Sequence, residues 1–444
     1  MNKKMYDEII RFTLPCLAEL FLFSLISVVN MAMVGRLGAA ALSAVGLSSQ
    51  PVRISIALFQ AFNIGATAMI ARYTGARDYG NARKVIVQTI QFAFVAGLII
   101  SLPFYIFAEQ IVMFMGARSD SLKEGITYMR FMAAGTVFQV LPLAVSSLLR
   151  GAGDSRNAML INILANIINV VLGYVLIFGF AFIPAFGVWG AGMAATVSKA
   201  SASMLGLVLL FKTKLPVRLK GKVVLGWDKT VLKGIAGIGS SSAAEQLVLR
   251  SGFFLYTRMI ANLGTVAFAA HQVALTVSNL STNLGQALGI ASSSFTGRHL
   301  GAQRPDRAVL YVQVLHHGAF LISLIVSILF LLSGDGLVRI FTADIKVIDV
   351  FGPILFILAV INPAQNTFLV YSGSIKGAGD TRWPLLVSLV GLIFVRIPLV
   401  YISIHYLKWG LTGAWIATAV EKYLGYIMLR IRFAGGKWKK VKIV

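Results

Sequence analysis

Acidic side chains are scarce in this chain: 16 of its 444 residues are Asp or Glu, and all charged residues together make up 13%. A water-soluble fold of this size needs a polar exterior, which a chain that is 57% hydrophobic with a mean hydropathy of +0.81 cannot supply. Lipid is therefore its solvent. Cysteine is nearly absent as well, and the single Cys16 excludes an intrachain disulfide and a thiolate metal site. No GxxxxGK[ST] stretch occurs, which argues against ATP-driven transport by this chain alone. No HExxH, paired-Cys or Ser-His-Asp arrangement points to catalysis, so neither an enzyme nor a cofactor is expected.

What the chain has instead is apolar runs of the length that crosses a hydrocarbon core of about 30 Å as helix. They fall near residues 11–34, 45–71, 86–108, 127–149, 157–180, 187–211, 234–258, 266–297, 310–332, 347–375, 383–404 and 410–430. Barrel strands would be about ten residues long and strictly alternating. The expected fold class is thus an all-α membrane protein of about twelve transmembrane helices. The first run lacks a cleavage site and is too long for a signal-peptide core, so it is expected to stay as the first span.

The formal charge of +24 sits in short gaps between these runs. That pattern is a topology signal rather than a nucleic-acid footprint. Lys3, Lys4, Arg72, Arg77, Arg83, Lys84, Arg150, Arg156, the 212–233 stretch, Arg298, Arg304, Arg307, Lys376, Arg382 and the tail from Arg430 to Lys442 all fall on one side of a twelve-span arrangement. By the positive-inside rule that side, with both termini, is cytoplasmic in a multi-pass inner (plasma) membrane protein.

The chain also repeats itself. A shift of 226 residues carries RGAGDSR at 150–156 onto KGAGDTR at 376–382, and 14 of the 50 positions from Met33 to Ala82 recur identically, Gln60/Gln286, Arg72/Arg298 and Gly75/Gly301 among them. Shared hydrophobicity alone does not match Gly, Gln and Arg. Glu19 pairs with Glu245 and Gln139 with Gln365; after a three-residue slip, GVWGAGMAATVSK at 187–199 meets GLTGAWIATAVEK at 410–422. Six spans per repeat make the copies parallel, so the expectation is two pseudo-twofold-related six-helix bundles with a central cleft, the plan of a secondary transporter. The partition is 1–211 and 234–444, joined by a basic cytoplasmic linker at 212–233.

NMAMVGRLGAAALSAVG, NIGATAMIARYTGARDYGNA, LRGAGDSR, AAHQVALTV and KGAGDTRWP, in that order over residues 10–430, resemble the multidrug and toxic compound extrusion (MATE) family. The resemblance implies antiport of H+ or Na+ against organic, often cationic and amphipathic, compounds, through alternating access of two lobes in a single chain. A related branch flips lipid-linked saccharides, for which Arg53, Arg130, Arg250 and Arg396 would have to converge on a pyrophosphate. A channel would need a filter or ring of charge, which is not seen.

Ionisable groups at membrane depth are costly, which makes Glu19 and Glu245 the first candidates for ion coupling. Desolvation favours the neutral carboxyl, so such a group can take up a proton, or Na+ if other ligands assist, and release it. Asn30 lies eleven residues after Glu19, three turns plus about 20° along the same helix face, and Tyr256 bears the same relation to Glu245. The resemblance implies Asp where Asn30 and Gln365 stand, which removes two charges and tilts the expectation from Na+ toward H+. It also implies that Asn162, Asn166 and Thr196 accompany a first-lobe site and that Glu245 is the family's seventh-span acid. His271 is a further proton-relay candidate, Tyr256, Gln139, Arg250 and Gln272 candidate cavity residues, and Asp154 and Asp380 caps of the helices that follow. Lys199 and Lys422 are expected to snorkel or to pair with Glu421.

The orientation is open to a direct test. On a Cys16→Ala background, single cysteines in the 212–233 linker or after Arg430 are expected to resist a membrane-impermeant maleimide in intact cells and to react in inverted vesicles. External labelling at either place would reverse the topology.

Overall fold

The computed structural model describes residues 3–115, 119–180, 182–212, 217–218, 226–339 and 344–441; within them the chain is helical apart from turns and one bridge between Phe180 and Ile183. Half of the 212–233 linker, residues 213–216 and 219–225, thus lies outside the described residues, as does Lys442. The first repeat forms α1 (Lys3–Gly35), α2 (Ala39–Gly75), α3 (Tyr79–Ile106), α4 (Ser119–Ala152), α5 (Ser155–Phe178) and α6 (Gly187–Lys212), with a short helix, Ala108–Phe114, after α3. The second forms α7 (Lys229–Ala261), α8 (Thr265–Gly301), α9 (Pro305–Arg339), α10 (Ile345–Gly377), α11 (Arg382–His405) and α12 (Gly410–Ala434). Among the described residues nine of these contain a stretch long and apolar enough to cross a membrane. The other three, α7, α8 and α12, have the length but carry more Ser, Thr, Asn or charge along their sequences.

The repeat is written into the turns. Backbone with positive φ recurs at Gly38 and Gly264 (109° and 103°), Gly153 and Gly379 (99° and 89°), and Gly187 and Gly410 (55° and 53°), and it recurs without glycine at Arg77 and Gln303 (60° and 57°). Glycine supplies the left-handed residue that ends one helix and redirects the chain into the next. Asp154 caps α5, accepting from the Asn157 amide at 3.0 Å. Its counterpart Asp380 does not cap: it accepts from Arg432 Nε at 2.9 Å and takes Nη2 of the same guanidinium at 2.7 Å, while Thr381 occupies the cap position. An arginine within reach outcompetes a backbone amide for the carboxylate.

Packing divides the chain into two units, Leu14–Ala236 and Met1–Thr13 with Gly237–Ile443. The start of α1 is therefore built into the second unit, where Tyr311 Oη donates to Glu8 Oε2 at 2.6 Å, Arg298 lies 3.5 Å from Glu8 Oε1, and Phe12 packs on Phe295. The start of α7 is built into the first unit: Gln88 Nε2 donates to the Gly226 carbonyl, Lys84 faces Asp228, and Gly65 leaves room for the Ile235 carbonyl.

Within the second unit α8 and α10 cross so closely that a Cβ on Gly373 would strike the Gly289 carbonyl, and one on Gly377 the Ser293 carbonyl. Lipid gives no hydrophobic drive for helices to associate, so small residues that let backbones approach are what hold such a crossing. Gly373→Ala is expected to cost about 1–3 kcal/mol through overpacking. Gly318→Ala on α9, where a Cβ meets nothing within 4 Å, is expected to be neutral or better. Thermal unfolding of the two variants in detergent reads the difference, and equal midpoints would refute the close crossing.

Candidate functional site

The two membrane-depth carboxylates occupy the same place in their units. Glu19, on α1, accepts from Arg150 Nη1 through Oε1 at 2.9 Å and Oε2 at 3.1 Å, and from Asn162 Nδ2 at 2.9 Å. Glu245, on α7, has Lys376 Nζ at 2.9 Å from Oε1 and 2.8 Å from Oε2, with Ser388 Oγ at 3.4 Å. Arg150 and Lys376 are 226 residues apart, as are Asn162 and Ser388, so each carboxylate meets a base 131 and a polar side chain 143 residues further on. In both units the first helix is tied to the end of the fourth and to the fifth.

This revises the sequence reading of the GAGD motif. Arg150 and Lys376, counted there among the cytoplasmic loop charges, are the counter-ions of the carboxylates, and the glycines after them make the turn that delivers a base to that depth. The arrangements differ in kind: the Glu245 side chain is 4% exposed and faces a lysine, whereas Glu19 is 13% exposed and held by an arginine and an amide. A guanidinium is a rigid, permanently charged fork, while an ammonium is a compact charge on a flexible stem.

Around Glu19 the amide of Asn162 also donates to Ser146 Oγ at 3.1 Å, completing a network across α1, α4 and α5. Asn30 donates to Asn169 Oδ1 at 2.8 Å further along. Both line a cavity of about 440 Å³ in the first unit, together with Ser27, Ser49, Arg53 and Tyr128. Asn166 is half-buried beside this region, and Thr196 donates to the Phe131 and Gly192 carbonyls, which leaves its hydroxyl engaged in helix packing. Gln139 accepts from Lys199 Nζ at 2.6 Å, the partner that Lys199 takes in place of a carboxylate.

In the second unit several residues at the positions of that cavity are larger, although Thr257, Asn279 and Ile354 are smaller than Met31, Arg53 and Tyr128. Tyr256, the counterpart of Asn30, is fully buried and packs edge-on at 5.3 Å from His271, which stands where Val45 lines the cavity; the Trp415 ring lies 5.6 Å from His271. Tyr256 therefore faces a filled core, not an open stripe. Neither ring nitrogen of His271 has a hydrogen-bond partner among the described residues. Arg396 lies 3.9 Å above the Tyr256 ring and pairs with Glu421 at 3.5 Å, which Lys422 also approaches at 3.1 Å. The π-helical turn Val390–Arg396 is what swings Arg396 into this core. Gln365 is half-buried with its carbonyl oxygen unpartnered, and Arg250 and Gln272 are exposed on their helices. Glu19 and Asn162 are thus brought together, as are Tyr256 and His271, while Gln365, Arg250 and Gln272 stand apart from Glu245's polar contacts.

A family model described as MatE matches residues 15–175 and 242–402, one match in each repeat. The chain is 27% identical over 441 residues to a probable multidrug resistance protein NorM of Thermotoga maritima, covering 98% of this chain and 93% of the relative, and 22% identical to an uncharacterized transporter, YisQ, of Bacillus subtilis, covering 96% and 93%. Among solved structures it is similar to an outward-facing multidrug resistance MATE family transporter of the MOP superfamily, with a TM-score of 0.88 at 25% identity over 98% of this chain and 97% of that one. It is also similar to a MATE crystallised in a bent conformation, with a TM-score of 0.87 at 25% identity over 97% and 96%.

The buried pair has a measurable signature. Lys376→Met leaves Glu245 without its counter-ion at low dielectric and is expected to cost about 3–5 kcal/mol, whereas Glu245→Gln with Lys376→Met removes both charges and recovers most of that loss. Thermal denaturation of the three detergent-purified proteins reads it. A double variant no more stable than Lys376→Met would show that the two charges do not compensate each other.

Proposed function

The chain belongs to the MatE family, and from this premise we propose that it exports organic amphipathic compounds from the cell by secondary active transport, in antiport with H+ or Na+. Its two homologous halves alternate the access of the substrate between the two sides of the plasma membrane, and a single chain suffices. The observation that carries the reading is the repeated pairing of a membrane-depth glutamate with the base of the GAGD motif. An exchanger needs a carboxylate that is neutralised in every state, by a resident cation in one and by the coupling ion in another.

Glu245 is the coupling group in this proposal. A proton, or a Na+ ion, that binds its carboxylate releases Lys376, and departure of the ion returns the lysine. The flexible ammonium leaves and re-forms such a contact more readily than the forked, doubly held Arg150 leaves Glu19. Glu19 then holds its unit's geometry, with Asn162 fixing the carboxylate from the other side. His271, packed among aromatic rings, supports the fold of the second unit. The lipid-flipping alternative needs convergent cations, and Arg396 is already engaged by Glu421.

The test is export of a panel of fluorescent dyes of both charges from proteoliposomes under imposed pH or Na+ gradients. Wild type is expected to move at least one dye against its gradient. Glu245→Gln, which keeps size and hydrogen bonding but not titration, is expected to bind dye yet lose gradient-driven export, and Glu19→Gln to retain a substantial part of it. Full coupled export by Glu245→Gln would remove it from the coupling role, and no dye moved by either gradient would remove the transport reading.

A further inference from the structure

The cavity of the first unit has a one-sided charge. Ser27, Asn30, Ser49, Tyr128 and Asn169 give it a neutral polar lining, no Asp or Glu borders it among the described residues, and Arg53 is its one charged side chain. Arg53, whose side chain is exposed, lies nine residues, about 14 Å, into the stretch Ala44–Gly75 that is apolar enough to cross a membrane. Among the described residues no ion pair or hydrogen bond engages it, unlike Arg150, Arg396 and Arg432, each of which meets a carboxylate. A guanidinium at membrane depth without a counter-ion is the costly case, and a ligand that carries the missing charge relieves it.

We infer that this cavity takes an organic anion, a single carboxylate or sulfonate on an aromatic or aliphatic body, with the acid group on Arg53 and the body against Met31, Val34 and Ile177. The inference rests on the transport reading above and names the substrate class of one compartment. Its volume of about 440 Å³ suits one compound of modest size. An organic cation placed there meets Arg53 and no carboxylate, since the position that would supply one on α1 is held by Asn30. Among the described residues, Tyr256, His271 and Thr418 of the other repeat stand at the places of Asn30, Val45 and Ala195 and are buried there.

Two xanthene dyes of opposite charge test this on the full chain in nanodiscs of zwitterionic lipid, with fluorescein as the anion and rhodamine 6G as the cation, read by fluorescence polarisation. Salt at about 0.3 M screens diffuse attraction to the basic surface. Fluorescein is expected to bind about tenfold tighter than rhodamine 6G, to lose about tenfold on Arg53→Gln, and to keep most of its affinity on Arg53→Lys, which a purely structural role would not predict. Arg53→Glu is expected to reverse the preference. Tighter binding of rhodamine 6G by wild type, binding of neither dye, or fluorescein affinity unmoved by Arg53→Gln would each overturn the inference. Such a failure with gradient-driven dye export intact leaves the transport reading standing, and loss of export for every dye is the separate result that removes it.

Discussion

A carboxylate among hydrocarbon chains has to be neutralised where it stands, and in this protein that requirement organises each half. Glu19 and Glu245 sit on the first helix of their repeats, and the bases that satisfy them come from the far end of the fourth. Because the base is followed directly by glycine, the turn that carries it is also packed tightly: a Cβ on Gly151 would strike the Thr67 carbonyl of α2. One electrostatic demand therefore fixes first, second, fourth and fifth helices together, in an environment where apolar contact alone gives little preference for one neighbour over another.

The two halves then part company at a different depth. In the first unit, small and polar residues leave an open compartment; in the second, Tyr256, His271 and Trp415 pack together and Arg396 lies over the Tyr256 ring, paired with Glu421. A π-helical turn inserts the extra residue that brings Arg396 inward, and the first repeat carries Val170 at that register. Duplication set the frame and substitution at about half a dozen positions on it separated a compartment from a core.

Much of the frame is legible in the sequence because its causes are local or periodic. Apolar length gave the twelve helices, the 226-residue shift gave their equivalence, and glycines such as Gly153 and Gly379 marked the turns. The candidate acids were legible from the rarity of charge at depth. Their partners were not, because Arg150 and Lys376 stand at helix ends where basic residues ordinarily face cytoplasm, and nothing local distinguishes a base that turns inward. The signal that could have found them is that the same 226-residue shift maps an acid onto an acid and a base onto a base, a coincidence of opposite charges at one constant separation. The filling around His271 was illegible for another reason: whether Tyr256 faces a cavity or a core depends on Trp415 and Arg396, which arrive from helices far along the chain.

Residues 3–13 pack with the second unit, and the start of α7 with the first. A repeat of this kind standing alone would carry the opening turns of its first helix with no surface of its own to receive them. Two copies would resolve this by lending each other that segment, which is the geometry of a swapped homodimer. Joining the copies through a linker turns a concentration-dependent exchange into an intramolecular one, and the boundary between the packing units then need not coincide with the boundary between the repeats.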